Sequence, residues 1–271
     1  MNRSGKSEDY EVIFTDIDGT LLDSKEEIMP YTLIALRKWT LRHELVLCSA
    51  RPYRGILPIL KTYGLEASVI ALGGAHLVSK EGKTLLKEGM SVSEAREIIA
   101  SVKEGRTDAV INVYTAERWL TSDRNDERVK KEERIIKAGC DEGGLSSLTS
   151  EDRVGKILLM CHPEEIKDIE GKMKKRFPAL TIAPSERTLL EINPPHVSKA
   201  TGVKKMGALL NIDLNKAIGF GDNYNDVPFL QLLKCPVLMG NAPEELRRQF
   251  ANITEDHDHE GIACFLQRFT L

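Results

Sequence analysis

The stretch Val12-Ile-Phe-Thr-Asp-Ile-Asp-Gly-Thr20 places two carboxylates directly after a short run of apolar and β-branched residues. Such a run predicts a buried β-strand, and Gly19 permits a tight turn after it. Because Asp16 and Asp18 stand two positions apart at the strand end, both side chains can reach one cleft. Their mutual repulsion calls for a cation or a proton. The stretch therefore predicts an acidic site at a strand end; the alternative is a polar turn whose aspartates cap the next element.

Apolar runs and amphipathic segments alternate on both sides of this stretch, which predicts βαβ units and a mainly parallel sheet. The predicted helices cover residues 30–42, 56–63 and 199–210, and the further predicted strands cover residues 44–48, 68–72, 216–220 and 235–239. Sheets of this kind bind their ligands beyond the carboxyl ends of the strands.

The middle of the chain has a different character. Its charged fraction rises, and it contains predicted strands over residues 109–114, 156–161 and 189–192 with helices over residues 93–104 and 164–177. We interpret it as an insertion. The sequence predicts an α/β protein with a Rossmann-like parallel-sheet core, formed by residues 1–82 and 193–271, and an inserted α/β cap domain over residues 83–192.

Three further sites complete the candidate chemistry. Asp222 and Asp226 follow a second strand end in Gly221-Asp-Asn-Tyr-Asn-Asp226. Asp222 is a hard oxygen ligand suited to Mg²⁺, and Asp226 either ligates the ion or holds its waters. Ser49, after another strand, offers a hydroxyl and nearby amides to phosphate oxygens. Lys199 offers a point charge to a phosphate or to a carboxylate nucleophile. Taken alone, the last two would be a turn serine and a surface lysine.

Composition limits the class of protein. The chain has 271 residues and a formal net charge of -3, so bulk charge does not predict nucleic-acid binding. Five scattered cysteines without a Cys-x-x-Cys pair favour neither a disulfide framework nor a zinc site and fit a reducing compartment. The polar N-terminus and the absence of a long apolar run predict neither a signal peptide nor a membrane span. We expect a cytoplasmic protein, a monomer or weak homodimer, without membrane or nucleic-acid partners.

Four motifs resemble the signatures of the haloacid dehalogenase-like (HAD) hydrolase superfamily: DIDGT (16–20), CSAR (48–51), SKATGV (198–203) and GFGDNYND (219–226). The interrupted layout, VLMGNAPEELR (237–247) and TEDHDHEGIACFL (254–266) are similar to its Cof-type phosphatases, which carry a class IIB cap. Gly73 departs from that pattern, because asparagine is usual there, and this puts a polar role for the position in doubt.

The resemblance implies a Mg²⁺-dependent phosphatase that hydrolyses a small phosphorylated metabolite, with a sugar phosphate as the leading candidate. It makes Asp16 the nucleophile, which forms an aspartyl-phosphate, and Asp18 the general acid and base. Magnesium would take carboxylate oxygens of Asp16 and Asp222 and the backbone carbonyl of Asp18, with Asp226 supporting this shell. The residues that it implies for phosphate or substrate binding are Ser49, Ala50, Arg51, Lys199 and Asn225.

Two alternatives stay open at this stage. A sugar phosphomutase would use the same motifs, and a catalytically idle metabolite sensor would keep the fold for binding. In enzymes of this layout the cap recognises the leaving group, but the residues that would do so are not determined by the motifs. The candidates are Arg51, Asn112, Tyr114, Arg118, Asn193, His196 and Asn223. A packing or surface role is the favoured interpretation for His196 and for the cap residues Asn112, Tyr114 and Arg118, whereas for Arg51 and Asn223 it stands level with substrate contact.

Overall fold

The computed structural model describes residues 10–105, 107–141 and 145–269. The described residues form two compact units. The first unit comprises residues 10–50, 59–85 and 198–269, and the second comprises residues 51–58 and 86–197. Each unit is a mixed α/β structure, so the predicted α/β class is confirmed. The domain boundaries predicted at residues 82/83 and 192/193 stay predictions. None of the helices within the described ranges is long and apolar enough to cross a membrane.

The strands of the described residues, in chain order, are β1 (Val12–Asp16), β2 (Glu44–Cys48), β3 (Ser68–Ala71), β4 (His76–Val78), β5 (Thr84–Lys87), β6 (Met90–Ser91), β7 (Val110–Tyr114), β8 (Trp119–Thr121), β9 (Arg153–Val154), β10 (Lys156–Met160), β11 (Thr181–Glu186), β12 (Leu189–Asn193), β13 (Ala217–Gly221) and β14 (Cys235–Leu238). The helices are α1 (Pro30–Thr40), α2 (Tyr53–Tyr63), α3 (Val92–Glu104), α4 (Glu127–Ile136), α5 (Ile166–Arg176), α6 (Lys199–Leu210), α7 (Val227–Leu230), α8 (Glu244–Arg247) and α9 (Gly261–Leu266).

The first unit is organised by a seven-stranded sheet in the order β14-β13-β1-β2-β3-β4-β5. The pairs from β14 to β3 are parallel, and β4 runs antiparallel to β3. All five residues of β1 are buried, which suits a central strand covered on both faces. In this register Asp16 lies opposite Cys48. The parallel strands β1, β2 and β13 therefore end at the same edge of the sheet, where the predicted acidic and phosphate-binding residues follow them.

The N-terminus of α6 is fixed by its sequence. Ser198 is the N-cap residue: its hydroxyl accepts from the amide of Thr201 at 3.1 Å, and the Thr201 hydroxyl accepts from the Ser198 amide at 2.9 Å. This reciprocal capping satisfies two otherwise unpaired amides of the first turn. Lys199 is the first helical residue, so the cap defines the direction from which its side chain enters the site.

The second unit contains a five-stranded antiparallel sheet in the order β11-β12-β10-β7-β8, with a separate two-stranded sheet of β6 and β9. Alternate residues of the strands, such as Val113, Ile157 and Ile192, are fully buried in one apolar core with residues of α3 and α5. Apolar residues thus recur with the strand period of two and meet helix faces of period 3.6, as layered α/β packing requires.

Candidate active site

A buried ion triad lies at the carboxyl end of the first unit's sheet. The Lys199 Nζ atom donates to Asp16 Oδ1 at 2.5 Å and to Asp226 Oδ1 at 2.6 Å. The three side chains are 5%, 7% and 0% exposed for Lys199, Asp16 and Asp226 respectively. Charges buried this deeply are tolerated only when they are paired and hydrogen-bonded. One ammonium group therefore holds the predicted nucleophile and a second carboxylate in a fixed arrangement.

Burial and neighbouring charges have opposing effects on the pKa values of the triad. Burial raises the pKa of Asp16 well above its ordinary value; the Lys199 charge lowers this pKa, whereas Asp226 and Asp222 raise it. Burial acts to lower the pKa of Lys199, but the charges of Asp16 and Asp226 outweigh it and raise that pKa. Lys199 is therefore a permanent cation in this site.

Asp226 is saturated by hydrogen bonds. Its Oδ1 atom accepts from Lys199, and its Oδ2 atom accepts from the backbone amides of Asp222 and Asn223 at 3.1 Å each. A Cβ atom on Gly221 would lie 2.6 Å from the Cβ of Asp226, so only glycine fits beside this carboxylate. Asp226 thus shapes the loop that carries Asp222 and anchors Lys199, and its role as support of a metal shell stays a prediction.

Asp222 lies at the mouth of the same site. Its Oδ1 atom accepts from the Thr20 hydroxyl at 3.0 Å, and a Cβ atom added to Gly19 would lie 2.7 Å from its Oδ2 atom. Gly19 has a φ of 81°, a conformation that suits glycine. Burial raises the pKa of Asp222, and the charge of Asp226 raises it further. The turn after β1 therefore closes directly over this carboxylate.

The donor set suits a hard divalent cation. Carboxylate oxygens of Asp16, Asp222 and Asp226 all lie within 4.8 Å of one another. With three carboxylate groups and one ammonium group, the fully ionised site has a formal charge of -2. Carboxylate oxygens are the ligands that Mg²⁺ prefers. Both oxygens of Asp226 already accept hydrogen bonds, from the Lys199 ammonium and from two backbone amides.

The other predicted site residues occupy different positions. Asp18 is exposed, two residues beyond the buried Asp16. Ser49 is 1% exposed, and its amide donates to the Ile70 carbonyl at 2.9 Å. Asn225 is exposed in the turn that follows Asp222.

Two more predicted phosphate-binding residues follow Ser49 in the chain. Ala50 is half-buried at the end of its segment of the first unit. Arg51 belongs to the second unit, where its Nη1 atom donates to the Ile135 carbonyl at 3.3 Å. The structure thus brings together Asp16, Lys199, Asp222 and Asp226, and the phosphate-binding roles of Ser49, Ala50, Arg51 and Asn225 stay predictions.

Two contributors to the site were not predicted from the sequence. Thr20 bonds Asp222, although it looks like the last residue of a turn. Asn241 donates from Nδ2 to the Gly19 carbonyl at 2.8 Å and lies 3.5 Å from Asp222 Oδ2, and its Oδ1 atom accepts from the His257 amide at 3.3 Å. Asn241 stands in the motif 237–247, which carried a resemblance but no assigned role, so this motif was the available signal.

Comparison with known proteins shows the family. The family model of haloacid dehalogenase-like hydrolases matches residues 13–266. The chain belongs to the haloacid dehalogenase-like hydrolases. Among its relatives is a protein of Serratia proteamaculans named HMP-PP phosphatase, which is 25% identical over 96% of this chain and 95% of that protein. The HAD-like chain is accordingly an enzyme of the phosphoric monoester hydrolase class.

Solved structures share the fold of this HAD-like hydrolase. A Thermotoga maritima protein solved by X-ray crystallography superimposes with a TM-score of 0.87 at 26% identity, over 97% of this chain and 98% of that chain. The HAD subclass IIB sugar phosphatase BT4131 superimposes with a TM-score of 0.78 at 21% identity, over 95% of this chain and 98% of that one. The resemblance to HAD hydrolases with an inserted α/β domain is thereby confirmed.

Proposed function

We propose that this enzyme is a Mg²⁺-dependent phosphatase that hydrolyses a small phosphorylated metabolite, a sugar phosphate in the first instance, through an aspartyl-phosphate on Asp16. The observation that carries the proposal is the buried Asp16–Lys199–Asp226 triad beside Asp222. It fixes one carboxylate with a cation next to it, which is what an in-line attack on a phosphate requires.

In the first step Asp16 attacks phosphorus. The bond between phosphorus and the leaving oxygen breaks as the bond to the Asp16 carboxylate forms. Asp18 gives its proton to the leaving oxygen, so that the product alcohol departs neutral. The exposed position of Asp18, two residues after the nucleophile, leaves it room to approach a bound leaving group. Lys199 holds Asp16 and adds positive charge where the transferred oxygens gather negative charge.

In the second step a water molecule attacks the phosphorus of the aspartyl-phosphate. Asp18, now ionised, takes a proton from this water, and the bond between phosphorus and Asp16 breaks. Inorganic phosphate leaves, and both carboxyl groups return to their starting states. Splitting the hydrolysis in this way replaces one difficult displacement by two easier ones.

The cation would be held by Asp16, Asp222 and the backbone carbonyl of Asp18, with Asp226 behind them. Mg²⁺ supplies positive charge that screens the phosphoryl oxygens from the carboxylates. Two observations support the fit of Mg²⁺ to this site: the formal charge of -2, and the space beside Asp222 that is open because Gly19 has no Cβ atom.

The names of relatives support the reaction type and the substrate class. One relative is named a phosphatase and one fold neighbour a sugar phosphatase. A phosphomutase would use the same triad, and a sensor would have no need of Asp18 as a second acid. Release of inorganic phosphate separates the three, because a mutase converts isomers and a sensor only binds.

The test is phosphate release from a panel of phosphorylated metabolites by wild type and Asp16→Asn, each with Mg²⁺ or with EDTA. We expect Mg²⁺-dependent release that the variant loses by several orders of magnitude. A matched control is Asp213→Asn, an exposed aspartate that caps a single turn. Wild-type rates in Asp16→Asn would refute the assignment of Asp16 as the nucleophile. Isomer conversion without phosphate release would show that the enzyme is a phosphomutase.

A further inference from the structure

Helix α1 of the first unit presents a row of apolar side chains to solvent. Tyr31 is 68% exposed, Ile34 is 51% exposed and Leu41 is 81% exposed. Leu41 directly follows the helix and keeps helical backbone angles, with φ at -64° and ψ at -24°. The other large apolar side chains that are exposed among the described residues lie in three separate segments, at Leu209, Tyr224 and Ile253. Single exposed apolar residues are ordinary, whereas a row of them on one helix is typical of an interaction surface.

The spacing of this row is that of a helix-pairing seam. Successive members are three, four and three residues apart, which places them on one side of the helix. We call these residues the α1 stripe: Tyr31, Ile34, Lys38 and Leu41. The aliphatic stem of Lys38 suits contact with apolar neighbours while its ammonium group stays in water. A lysine within such a seam also restricts the pairing to one register, because other registers would bury its charge.

A groove of about 330 Å³ lies beside the α1 stripe, within the same unit. Its second wall is formed by α9 and the residues that follow it, with Ala263, Leu266 and Phe269 as its apolar members. These three side chains are buried by the rest of the unit, so this wall is part of the folded core and is held in place. The groove therefore offers a fixed recess for an apolar side chain next to the stripe.

The N-terminal end of α1 is acidic. Residues 23–27, just ahead of the helix, contain three acids and one lysine, and Glu27 among them is exposed. The carboxylate of Glu260 also lies at this end, where its two oxygens accept from the amides of Tyr31 and Thr32 at 2.9 Å and 2.7 Å. Negative charge here suits the positive end of the helix dipole.

The C-terminal end of α1 is basic. Arg37, Lys38 and Arg42 are exposed there, and the Arg37 guanidinium donates to the Tyr63 carbonyl at 2.5 Å. Two α1 helices that pack in antiparallel fashion place the acidic end of each beside the basic end of the other. A parallel pair would place like charges together. The charge pattern is thus self-complementary for one orientation, the one that a two-fold axis perpendicular to the helix generates.

We propose that the α1 stripe and its groove bind a second copy of this chain, with the two α1 helices antiparallel across a two-fold axis. Leu41 of each copy then lies near Tyr31 and the groove of the other, and Arg42 faces the acidic end that carries Glu27. Residues 1–9 of the chain contain one large apolar side chain, Met1, and so suit the stripe less well than a second stripe does. A patch of one helix and one groove is small, which favours a weak, reversible dimer.

The first experiment measures the mass of the full chain by sedimentation over a range of concentrations. We expect a rise from 30.3 kDa towards twice that mass as the concentration increases. Ile34→Glu places a charge in the middle of the stripe and should weaken the dimer at least about tenfold. Leu209→Glu is the matched control, because Leu209 is 50% exposed on α6, outside the stripe, and this variant should dimerise like wild type.

Two results of this experiment would overturn the proposal. One is a chain that stays at 30.3 kDa up to about 0.1 mM, a concentration at which a micromolar dimer is nearly fully formed. The other is a dimer that Ile34→Glu leaves as strong as Leu209→Glu does, because its interface would then lie elsewhere. Circular dichroism of each variant verifies that these exposed substitutions leave the fold intact.

Charge reversal tests the antiparallel orientation. Arg42→Glu should weaken the dimer about tenfold, because the two-fold axis turns two attractions into two repulsions. Adding Glu27→Arg to the same chain restores opposite charges across the axis and should return the dimer towards wild-type strength. High salt should reduce the difference between the single and the double variant. A double variant that dimerises no better than Arg42→Glu alone would refute the antiparallel pairing of α1.

Discussion

Lys199 carries two tasks with one ammonium group, because it compensates both Asp16 and Asp226. Replacing it with methionine keeps most of the unbranched side chain and leaves two carboxylates without their cation, one of them 0% exposed. Breaking a buried pair from one side costs about 3–5 kcal/mol. We expect Lys199→Met to lower the free energy of unfolding by that amount and to abolish phosphate release. Chemical denaturation and the release assay measure the two effects.

The control for this prediction is Lys204→Met, which removes an exposed lysine from the same helix. This change should leave both the stability and the activity near wild type. A Lys199→Met protein as stable as Lys204→Met would mean that Asp16 and Asp226 do not depend on the ammonium group for burial.

Asn241 links three parts of the first unit: the Gly19 carbonyl, the Asp222 carboxylate and the His257 amide. Asn241→Ala removes these bonds from an exposed side chain, so the loss of stability should be at most about 1 kcal/mol. We expect a larger effect on the Mg²⁺ concentration that gives half-maximal phosphate release, because Asp222 loses its neighbour. A rise of about fivefold is the expected result.

Asn215→Ala is the matched control, since Asn215 is an exposed asparagine that bonds locally to Asp213. If both variants required the same Mg²⁺ concentration, Asn241 would not be a residue that positions Asp222.

At the scale of elements, the turn after β3 holds the start of α6 in place. Gly74 has a φ of 113°, and a Cβ there would lie 2.4 Å from the Ser198 carbonyl oxygen. The neighbouring Gly73 has a φ of 62°, but a Cβ there would meet no atom within 4 Å. The two adjacent glycines thus differ in φ and in their approach to the residue that caps α6.

This difference predicts different outcomes for the same substitution. Gly73→Ala should cost about 1–2 kcal/mol, the penalty of the left-handed backbone alone. Gly74→Ala should cost more, because a φ of 113° suits alanine less well and the added Cβ clashes with Ser198, and it should also reduce turnover, because it pushes the Ser198 backbone away and shifts Lys199 with it. Thermal unfolding and phosphate release report the two effects. Equal losses in the two variants would show that α6 tolerates displacement at its N-terminus.

The elements also show what could be predicted from the sequence. The strands β1, β2 and β13, predicted over residues 12–15, 44–48 and 216–220, agree with the structure within one residue, because each is a short apolar run followed by a turn. The helix α2 begins at Tyr53, three residues before its predicted start, since its first turn lacks an apolar period. Edge and hairpin strands such as β5 and β8 were not predicted, because three or four residues of mixed polarity carry no pattern of their own.

The same limit applies to the site. Asp16, Asp222 and Asp226 could be predicted because acids that follow strands meet at one sheet edge. The Thr20–Asp222 bond could not be predicted, because it joins residues 202 positions apart and no local sequence pattern relates them. The contacts of Asn241 with Gly19 and Asp222 could not be predicted for the same reason. A bond between two loops depends on the packed sheet beneath them, and local patterns do not contain that information.

For the whole molecule, the acidic cluster couples metal binding to folding. Only the native chain gathers three carboxylates within 4.8 Å, so a cation that binds there stabilises the folded state against the unfolded one. At a hundredfold excess over its dissociation constant, Mg²⁺ should add about 2.7 kcal/mol to the free energy of unfolding. We expect the thermal midpoint to rise with Mg²⁺ and to fall back with EDTA.

Asp222→Asn tests this coupling, because it keeps the shape of the side chain and removes one of the charges that attract the cation. Its midpoint without metal should equal or exceed that of wild type, since burial and the charge of Asp226 both oppose ionisation of Asp222. Its rise with Mg²⁺ should be much smaller. Asp168→Asn, an exposed change on α5 of the second unit, should keep the full rise. A rise of wild-type size in Asp222→Asn would place the stabilising cation elsewhere in the chain.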